Sequence, residues 1–302
     1  MTSRPRQWWD TCLLYMLFAI ARPIPRRGLR VLGRALGSFA WGVTRSRRAV
    51  VMDNLTHAFG DRMSPDELRR LGRDFYRNLG MTLMEFLAFP RLRPADFLSL
   101  VDIQGEGHLQ ELQRKGRGAL FVSGHFGNWE LLAARAAAAG MGISVAVKTQ
   151  RNQRVDRLQN AIRQRAGVGI LRTEAGVKGM VKALREGQMI AMLTDQDAGA
   201  NGYFTDFLGR PASVFKGPAY FAWKLGVPMV TVFIFRQPGG RHLVVVDPPY
   251  EADPAWDEQT AVARLTEWHV RRLESAVLKA PEQYFWLHRR WKTRPPAAPG
   301  AD

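Results

Sequence analysis

The sequence predicts an α/β protein in which a mixed central sheet is flanked by helices and preceded by a membrane-seeking helical segment. Three observations carry this prediction. Short apolar runs, typical of buried strands, alternate with helical patterns from Gly116 onward. Helical periodicity dominates 45–100. The first 44 residues combine apolar runs with tryptophans and arginines, as interfacial helices do.

Composition bounds the classes of protein that remain. The chain has 302 residues, 46% hydrophobic and 24% charged, which excludes a disordered chain and fits one large α/β domain or two small ones. The net charge of +17 points to nucleic acid, anionic lipid headgroups or acidic proteins as partners. Because Cys12 is the single cysteine, neither an internal disulfide nor a cysteine-rich metal site is possible.

Two apolar stretches mark the N-terminal segment, 1–44. Thr11–Ala21 is shorter than the roughly 20 residues that span a bilayer as a helix, and Arg22-Pro23 follows where a signal peptide would be cleaved. Leu29–Val43 carries two arginines of its own. We predict a helix that lies in or dips into the membrane interface; an ordinary amphipathic core helix is the alternative. The segment's arginines are Arg4, Arg6, Arg22, Arg26, Arg27, Arg30 and Arg34, and Arg45, Arg47 and Arg48 follow by residue 50, against a single acid, Asp10.

A main domain is predicted over 45–294, followed by a frayed tail, 295–302. Ser64, Pro65 and Glu67 form a helix start with a capping box, and leucine and phenylalanine recur after it at helical spacing. Strands are predicted at Gly118–Ser123, Ile143–Lys148, Ile170–Arg172, Met189–Thr194, Met229–Phe235 and Leu243–Val246. Helices are predicted at Trp129–Gly140, Val155–Arg165, Val177–Glu186, Lys216–Leu225 and Glu258–Leu278.

The last two predicted strands are joined by Gln237-Pro238-Gly239-Gly240, a hairpin-like turn. A hairpin makes its two strands antiparallel, whereas strands separated by helices are parallel. The sheet is therefore predicted to be mixed.

The sharpest chemical feature is the segment Gly124–Glu130 (GHFGNWE), at a strand-to-helix transition. Histidine is the side chain best suited to accept a proton near neutral pH, and glycine lets backbone approach a substrate. Glu130, one turn into the helix, is placed to accept from one ring nitrogen of His125 and so leave the other as a base. A loop histidine that only caps or packs is the alternative.

A second polar cluster, Asp195-Gln196-Asp197, directly follows the predicted strand Met189–Thr194. The carboxyl ends of strands are where α/β proteins place ligands. A helix cap is the simpler interpretation of one such aspartate.

Other catalytic patterns are not found in the sequence. It has no Gly-x-Ser-x-Gly elbow, no phosphate-binding Gly-x4-Gly-Lys-Ser/Thr loop and no Gly-x-Gly-x2-Gly after a strand. The remaining histidines are scattered, so a metal site is not predicted.

At this point a family resemblance becomes specific. His125 and Glu130 resemble the His-x4-Asp/Glu motif of the lysophospholipid acyltransferase superfamily. The wider pattern resembles the lipid A late acyltransferases of Gram-negative bacteria, although that family usually has Asn-Pro where this chain has Asn152-Gln153. The matching stretches are Arg48–Gly60, Ser123–Glu130, Asp195-Gln196-Asp197, Phe207–Ala212 and Ala280–Pro295.

The resemblance implies an enzyme that moves an acyl chain from an acyl-carrier-protein thioester to a hydroxyl of a lipid A precursor, at the cytoplasmic face of the inner membrane. Such a transfer needs a base and oxyanion stabilisation, and neither a metal nor a cofactor. His125 would be the base and Glu130 its orienter. The resemblance leaves open which arginine lines the site. The substrate-binding candidates are Asn128, Lys148, Arg163, Arg165, Asp195, Gln196 and Arg210.

Three alternatives remain at this stage. An enzyme of the same chemistry could acylate another glycolipid, such as a phosphatidylinositol mannoside, from acyl-CoA. A basic nucleic-acid-binding protein is disfavoured by the Trp- and Leu-rich N-terminus and by the lack of a binding motif. A non-catalytic membrane-binding protein would not depend on His125.

Overall fold

A computed structural model of the chain describes residues 4–173 and 177–296, with side chains described for 8–173 and 178–296. Residues 297–302 of the predicted tail lie outside the described residues. The helices are α1 Arg4–Ala21, α2 Arg26–Val43, α3 Arg45–Phe59, α4 Pro65–Leu87, α5 Pro94–Leu100, α6 Glu106–Lys115, α7 Trp129–Ala138, α8 Gln153–Arg165, α9 Val177–Arg185, α10 Gly217–Leu225 and α11 Glu258–Lys279. The strands are β1 Val101–Gln104, β2 Ala119–Ser123, β3 Ile143–Val147, β4 Gly169–Arg172, β5 Met189–Leu193, β6 Tyr203–Phe207, β7 Arg210–Val214, β8 Met229–Arg236 and β9 His242–Val246.

The predicted mixed α/β fold is confirmed. Within the described residues, seven strands form one sheet in the order β1-β9-β8-β2-β5-β3-β4. The pairs from β8 to β4 are parallel, while β8 and β9 form the predicted antiparallel hairpin, so β1 and β9 run opposite to the rest.

Both faces of the sheet are covered, which explains why its strands are almost continuously apolar. Alternate residues of β2 point to opposite sides. Phe121 packs in the core that contains α7, whereas Leu120 and Val122 pack in the core that contains α9, α10 and α11. The fold therefore has three layers, with the sheet between two layers of helices.

The N-terminal helices pack on the main domain. Helix α2 lies against α4 at very close range, because a side chain at Gly33, Gly37 or Gly80 would overlap the backbone of the opposite helix. The predicted capping box at Ser64 and Glu67 starts α4. The predicted segment boundary falls at Thr44, between α2 and α3. Among the described helices, none has the length and apolar character needed to cross a bilayer.

Two parts of the fold were not predicted from the sequence. Strand β1 and helix α6 lie between the predicted helical region and β2, and β1 is only four residues long. The separate hairpin β6–β7 turns at Leu208 and Gly209, both at positive φ. Such turns normally carry Asn-Gly or Asp-Gly, so a leucine in that position conceals the hairpin signal.

Candidate active site

The site lies where β2 and β5 end. These strands are parallel neighbours in register, with Ser123 opposite Leu193. The segments that follow them leave the sheet side by side at the same edge, which brings His125 next to Asp195. Helix α7 begins four residues after the histidine, at Trp129.

Asp195 holds His125 through two hydrogen bonds. The ring Nδ1 lies 2.8 Å from Asp195 Oδ1, and the His125 backbone N–H donates to Oδ2 at 2.9 Å. The carboxylate can only accept, so Nδ1 carries the proton and Nε2 is left with a lone pair. The His125 side chain is 21% exposed and that of Asp195 only 2% exposed.

Charge and burial act in opposite directions on this pair. Burial lowers the pKa of His125, but the charge and hydrogen bond of Asp195, with the charge of Glu130, bring that pKa above its ordinary value. Burial likewise raises the pKa of Asp195, and the interactions with His125 bring it below the ordinary value. The pair therefore favours a carboxylate beside a histidine that readily takes a proton.

Glu130 was predicted to accept a hydrogen bond from the His125 ring, but in the structure it does not. Its two carboxylate oxygens instead receive Arg163 Nε at 2.9 Å and Nη2 at 2.6 Å. The spacing places Glu130 on α7, past the loop, where the end of α8 supplies a cation. Glu130 acts on His125 through its charge.

Two aromatic rings flank the histidine. The centroid of the His125 ring lies 5.2 Å from that of Trp129 and 5.6 Å from that of Phe285. Phe285 belongs to the C-terminal segment after α11, and its backbone N–H donates to the His125 carbonyl. Apolar walls on both sides leave the ring little freedom to turn away from Asp195.

The loop that carries His125 is fixed at its backbone. Gly127 has φ +58°, and a side chain there would overlap the Ile234 carbonyl, so this position requires glycine. Its N–H donates to Gln283 O at 2.8 Å, and its carbonyl accepts from Thr82 at 3.3 Å.

Asn128, a predicted substrate-binding residue, holds the start of α7 and contacts α4 in the structure. Its side chain is fully buried, its Oδ1 caps α7 by accepting from Leu131 N, and its Nδ2 donates to Glu85 at 2.8 Å. Glu85 in turn forms a buried ion pair with Arg236. Neither of these charged residues was predicted, because nothing near them in the sequence indicates that they are buried.

An apolar cavity lies beneath α7 and is lined in part by Trp129, whose ring contacts that of His125. Its volume is about 90 Å³. Trp129, Glu130 and Arg163 line one part of it, and strand residues such as Phe121 and Val145 form its floor. A hydrocarbon chain fits such a lining.

The structure separates the other predicted substrate-binding residues. Arg165 is exposed and donates to Pro90 O at 3.0 Å, whereas Arg163 lines the cavity and pairs with Glu130. Lys148 is exposed at the carboxyl end of β3, and Gln196 is half-buried next to Asp195. Arg210 is exposed at the start of β7, in the separate hairpin. Over 4–173 and 177–296, no group of three His, Cys, Asp or Glu side chains could hold a metal ion.

A histidine held by a carboxylate at the edge of an α/β sheet can act as the general base of an acyl transfer. The family model described as "Bacterial lipid A biosynthesis acyltransferase" matches residues 2–293. The chain therefore belongs to that family, as its sequence motifs suggested.

Two relatives from Escherichia coli support the same assignment, and one solved structure aligns weakly. The chain is 30% identical to the lipid A biosynthesis lauroyltransferase of Escherichia coli K12, over 98% of this chain and 95% of that protein. It is 27% identical to the palmitoleoyltransferase of the same organism, over 95% and 91%. A solved structure, the 1-acyl-sn-glycerophosphate acyltransferase PlsC of Thermotoga maritima, aligns with a TM-score of 0.38 and 15% identity over 82% of this chain and 97% of that one.

Proposed function

We propose that this protein transfers a fatty acyl chain from an acyl-carrier-protein thioester to a hydroxyl of a lipid A precursor. The observation that carries the proposal is the His125–Asp195 pair beside an apolar cavity, in a chain of the lipid A acyltransferase family. The relatives are named for the transfer of lauroyl and palmitoleoyl chains.

In the proposed mechanism His125 is the general base. Its Nε2 takes the proton of the acceptor hydroxyl while the oxygen attacks the thioester carbonyl. The tetrahedral intermediate then collapses and the C–S bond breaks. The leaving thiolate takes the proton from His125, which returns the base to its neutral form. Asp195 keeps Nδ1 protonated and stabilises the imidazolium. This assigns to Asp195 the role first predicted for Glu130.

The intermediate carries a negative oxygen that needs compensation. Arg163 lines the cavity beside the histidine, and the N-terminus of α7 points its positive end into the same region. Glu130 holds the guanidinium of Arg163 in a bidentate pair, which fixes its direction. In this proposal Glu130 positions the oxyanion-stabilising group and adds negative charge near the imidazolium.

The surface supports a membrane site for the reaction. Helix α1 exposes Trp8, Trp9, Leu13 and Met16, a combination typical of interfacial helices. Trp8 borders a depression that is also lined by three exposed arginines, Arg151, Arg154 and Arg157. We infer that this face meets the anionic surface of the inner membrane from the cytoplasmic side. The charge of +17 also suits an acidic donor protein.

The test is acyl transfer by membranes that contain the wild type or a variant, with a labelled acyl-carrier-protein thioester and a tetra-acylated lipid A precursor. We expect His125→Ala to lower the rate by about 10³-fold or more and Asp195→Asn to lower it severely. His108→Ala, a histidine on α6 outside the site, is the matched control and should retain activity.

Each outcome has a distinct meaning. Transfer that survives in His125→Ala shows that the proposed base is wrong. No transfer by the wild type refutes the acceptor and donor, and a panel of other glycolipids with acyl-CoA then tests the remaining acyltransferase alternatives. Fractionation of the same cells tests the membrane site: Trp8→Ser with Trp9→Ser should shift protein to the soluble fraction, and an unchanged distribution contradicts that site.

A further inference from the structure

From Trp129, whose ring contacts that of His125, the apolar cavity extends under α7 across the sheet. Its floor includes Val145 of β3, Ala191 of β5, Phe121 of β2, Val244 of β9 and Ile103 of β1. In the order of the sheet these strands cover five spacings, which correspond to about 24 Å. The cavity therefore crosses the sheet under α7, from the side of Arg163 to the edge strand β1.

The charged side chains that line this cavity fall into two groups. Among the described lining residues, Glu130 and Arg163 neutralise each other on the β3 side, where α8 packs. Arg135 is the third, five residues after Glu130 on α7. Its Nε donates to Val101 O, at the first residue of β1, at 3.4 Å. Arg135 thus stands at the β1 end of an otherwise apolar passage.

The guanidinium of Arg135 is incompletely satisfied. Its Nη1 is buried and has no hydrogen-bond partner among the described residues. An unpaired buried donor is costly, and a charged one more so, which makes such a group in an apolar wall unusual. A water molecule in the cavity can satisfy it, but a methylene group cannot.

We propose that Arg135 ends the acyl-binding cavity and sets the longest chain that this enzyme transfers efficiently. The inference rests on the proposed function. A chain whose methyl end stops short of the guanidinium leaves Nη1 hydrated. A longer chain must displace that water and place hydrocarbon against a charge. Arg135 is therefore a specificity-determining residue of the donor site.

The test is a chain-length profile of kcat/KM for a series of saturated acyl-carrier-protein thioesters from decanoyl to stearoyl, with one lipid A precursor. Arg135→Leu should move the optimum to longer chains. Each further methylene that becomes buried raises relative kcat/KM about fourfold, so two of them give about 15-fold. Arg135→Lys, which keeps a charge, should keep the wild-type cutoff. Arg114→Leu, an exposed arginine on α6, is the matched control and should keep the whole profile.

The profile compares donors within one preparation, so it does not depend on the fraction of folded enzyme. A uniform loss across all chain lengths in Arg135→Leu, or an unchanged optimum, overturns the inference; Arg135→Met repeats the test if the leucine variant is unstable. No transfer by the wild type from any donor overturns the proposed function, and this inference with it. An unchanged profile in an active variant overturns this inference alone.

Discussion

Two glutamate–arginine pairs lie near the loop that carries His125, and their hydrogen bonds have the same lengths. Arg236 donates to Glu85 at 2.6 and 2.9 Å, and Arg163 donates to Glu130 at 2.6 and 2.9 Å. All four side chains are between 9% and 17% exposed. By distance and burial alone the two pairs could not be told apart.

Their surroundings differ. Arg236 also donates to Asn78 and Thr82 of α4, and Asn128 of the catalytic loop donates to Glu85. That pair is enclosed by groups that hold the loop. Glu130 and Arg163 instead line the apolar cavity beneath α7. We therefore expect the Glu85–Arg236 pair to support the structure of the loop and the Glu130–Arg163 pair to direct charge into the cavity.

The enclosed pair should matter most for stability. Glu85→Ala leaves Arg236 buried without a counterion, and we expect the free energy of unfolding to fall by about 3–5 kcal/mol. Thermal unfolding of the purified protein in detergent measures this. Glu130→Ala should cost clearly less, because water in the cavity can reach Arg163. Equal losses in the two variants would contradict the contrast.

The cavity pair should matter most for the rate. Glu130→Gln keeps the shape but releases Arg163 from its bidentate partner, and we expect kcat to fall about 10²-fold, with a smaller change in KM. Arg163→Lys, which keeps the charge but loses the planar fork, should show a partial loss. Wild-type kcat in Glu130→Gln would remove this pair from the proposed mechanism.

Lowering the pH should lower the free energy of unfolding through His242, which lies beside the Glu85–Arg236 pair. This histidine is fully buried 3.9 Å from Glu85, and burial lowers the pKa of His242 to about 4. Between that pKa and the ordinary value near 6.5 the unfolded chain binds a proton that the folded chain does not, so stability falls as pH falls. At pH 5 the free energy of unfolding should be lower than at neutral pH by about 2 kcal/mol. Denaturant unfolding of the wild type and of His242→Leu at pH 7 and pH 5 measures this. The difference between the two pH values should be smaller in His242→Leu by that amount. An equal difference in the two proteins would show that His242 is not the responsible group.

The pH profile of activity is the finest test. The base must be neutral, so kcat/KM should decline as pH falls through the raised pKa of His125. Removing a negative charge that raises this pKa, in Glu130→Gln or Asp195→Asn, should move the inflection to lower pH. Glu85→Gln should leave it in place. An inflection that moves with Glu85 and not with Glu130 would reverse the proposed roles.

Much of the architecture was predictable from local patterns. The strands β2, β3 and β5 and the helices α7, α8 and α11 lie within a few residues of their predicted limits, because apolar runs and helical periodicity are local signals. Strand β1 was not predicted, because its four residues pair only with β9 and are too few to show a periodic pattern. The β6–β7 hairpin escaped because Leu208 is held at positive φ by its burial in the core.

The sequence by itself determined the α/β class, the family, and a histidine at the end of a strand, since each of these is written in neighbouring residues. Only the tertiary structure decided which carboxylate serves that histidine. Glu130 is five residues from His125, but it lies on α7 and pairs with Arg163. Asp195 is seventy residues from His125 in the chain, and the pairing of Ser123 with Leu193 brings it beside the histidine. Parallel strands bring their carboxyl ends to one edge whatever their separation in sequence, so the register of the sheet selects the partner.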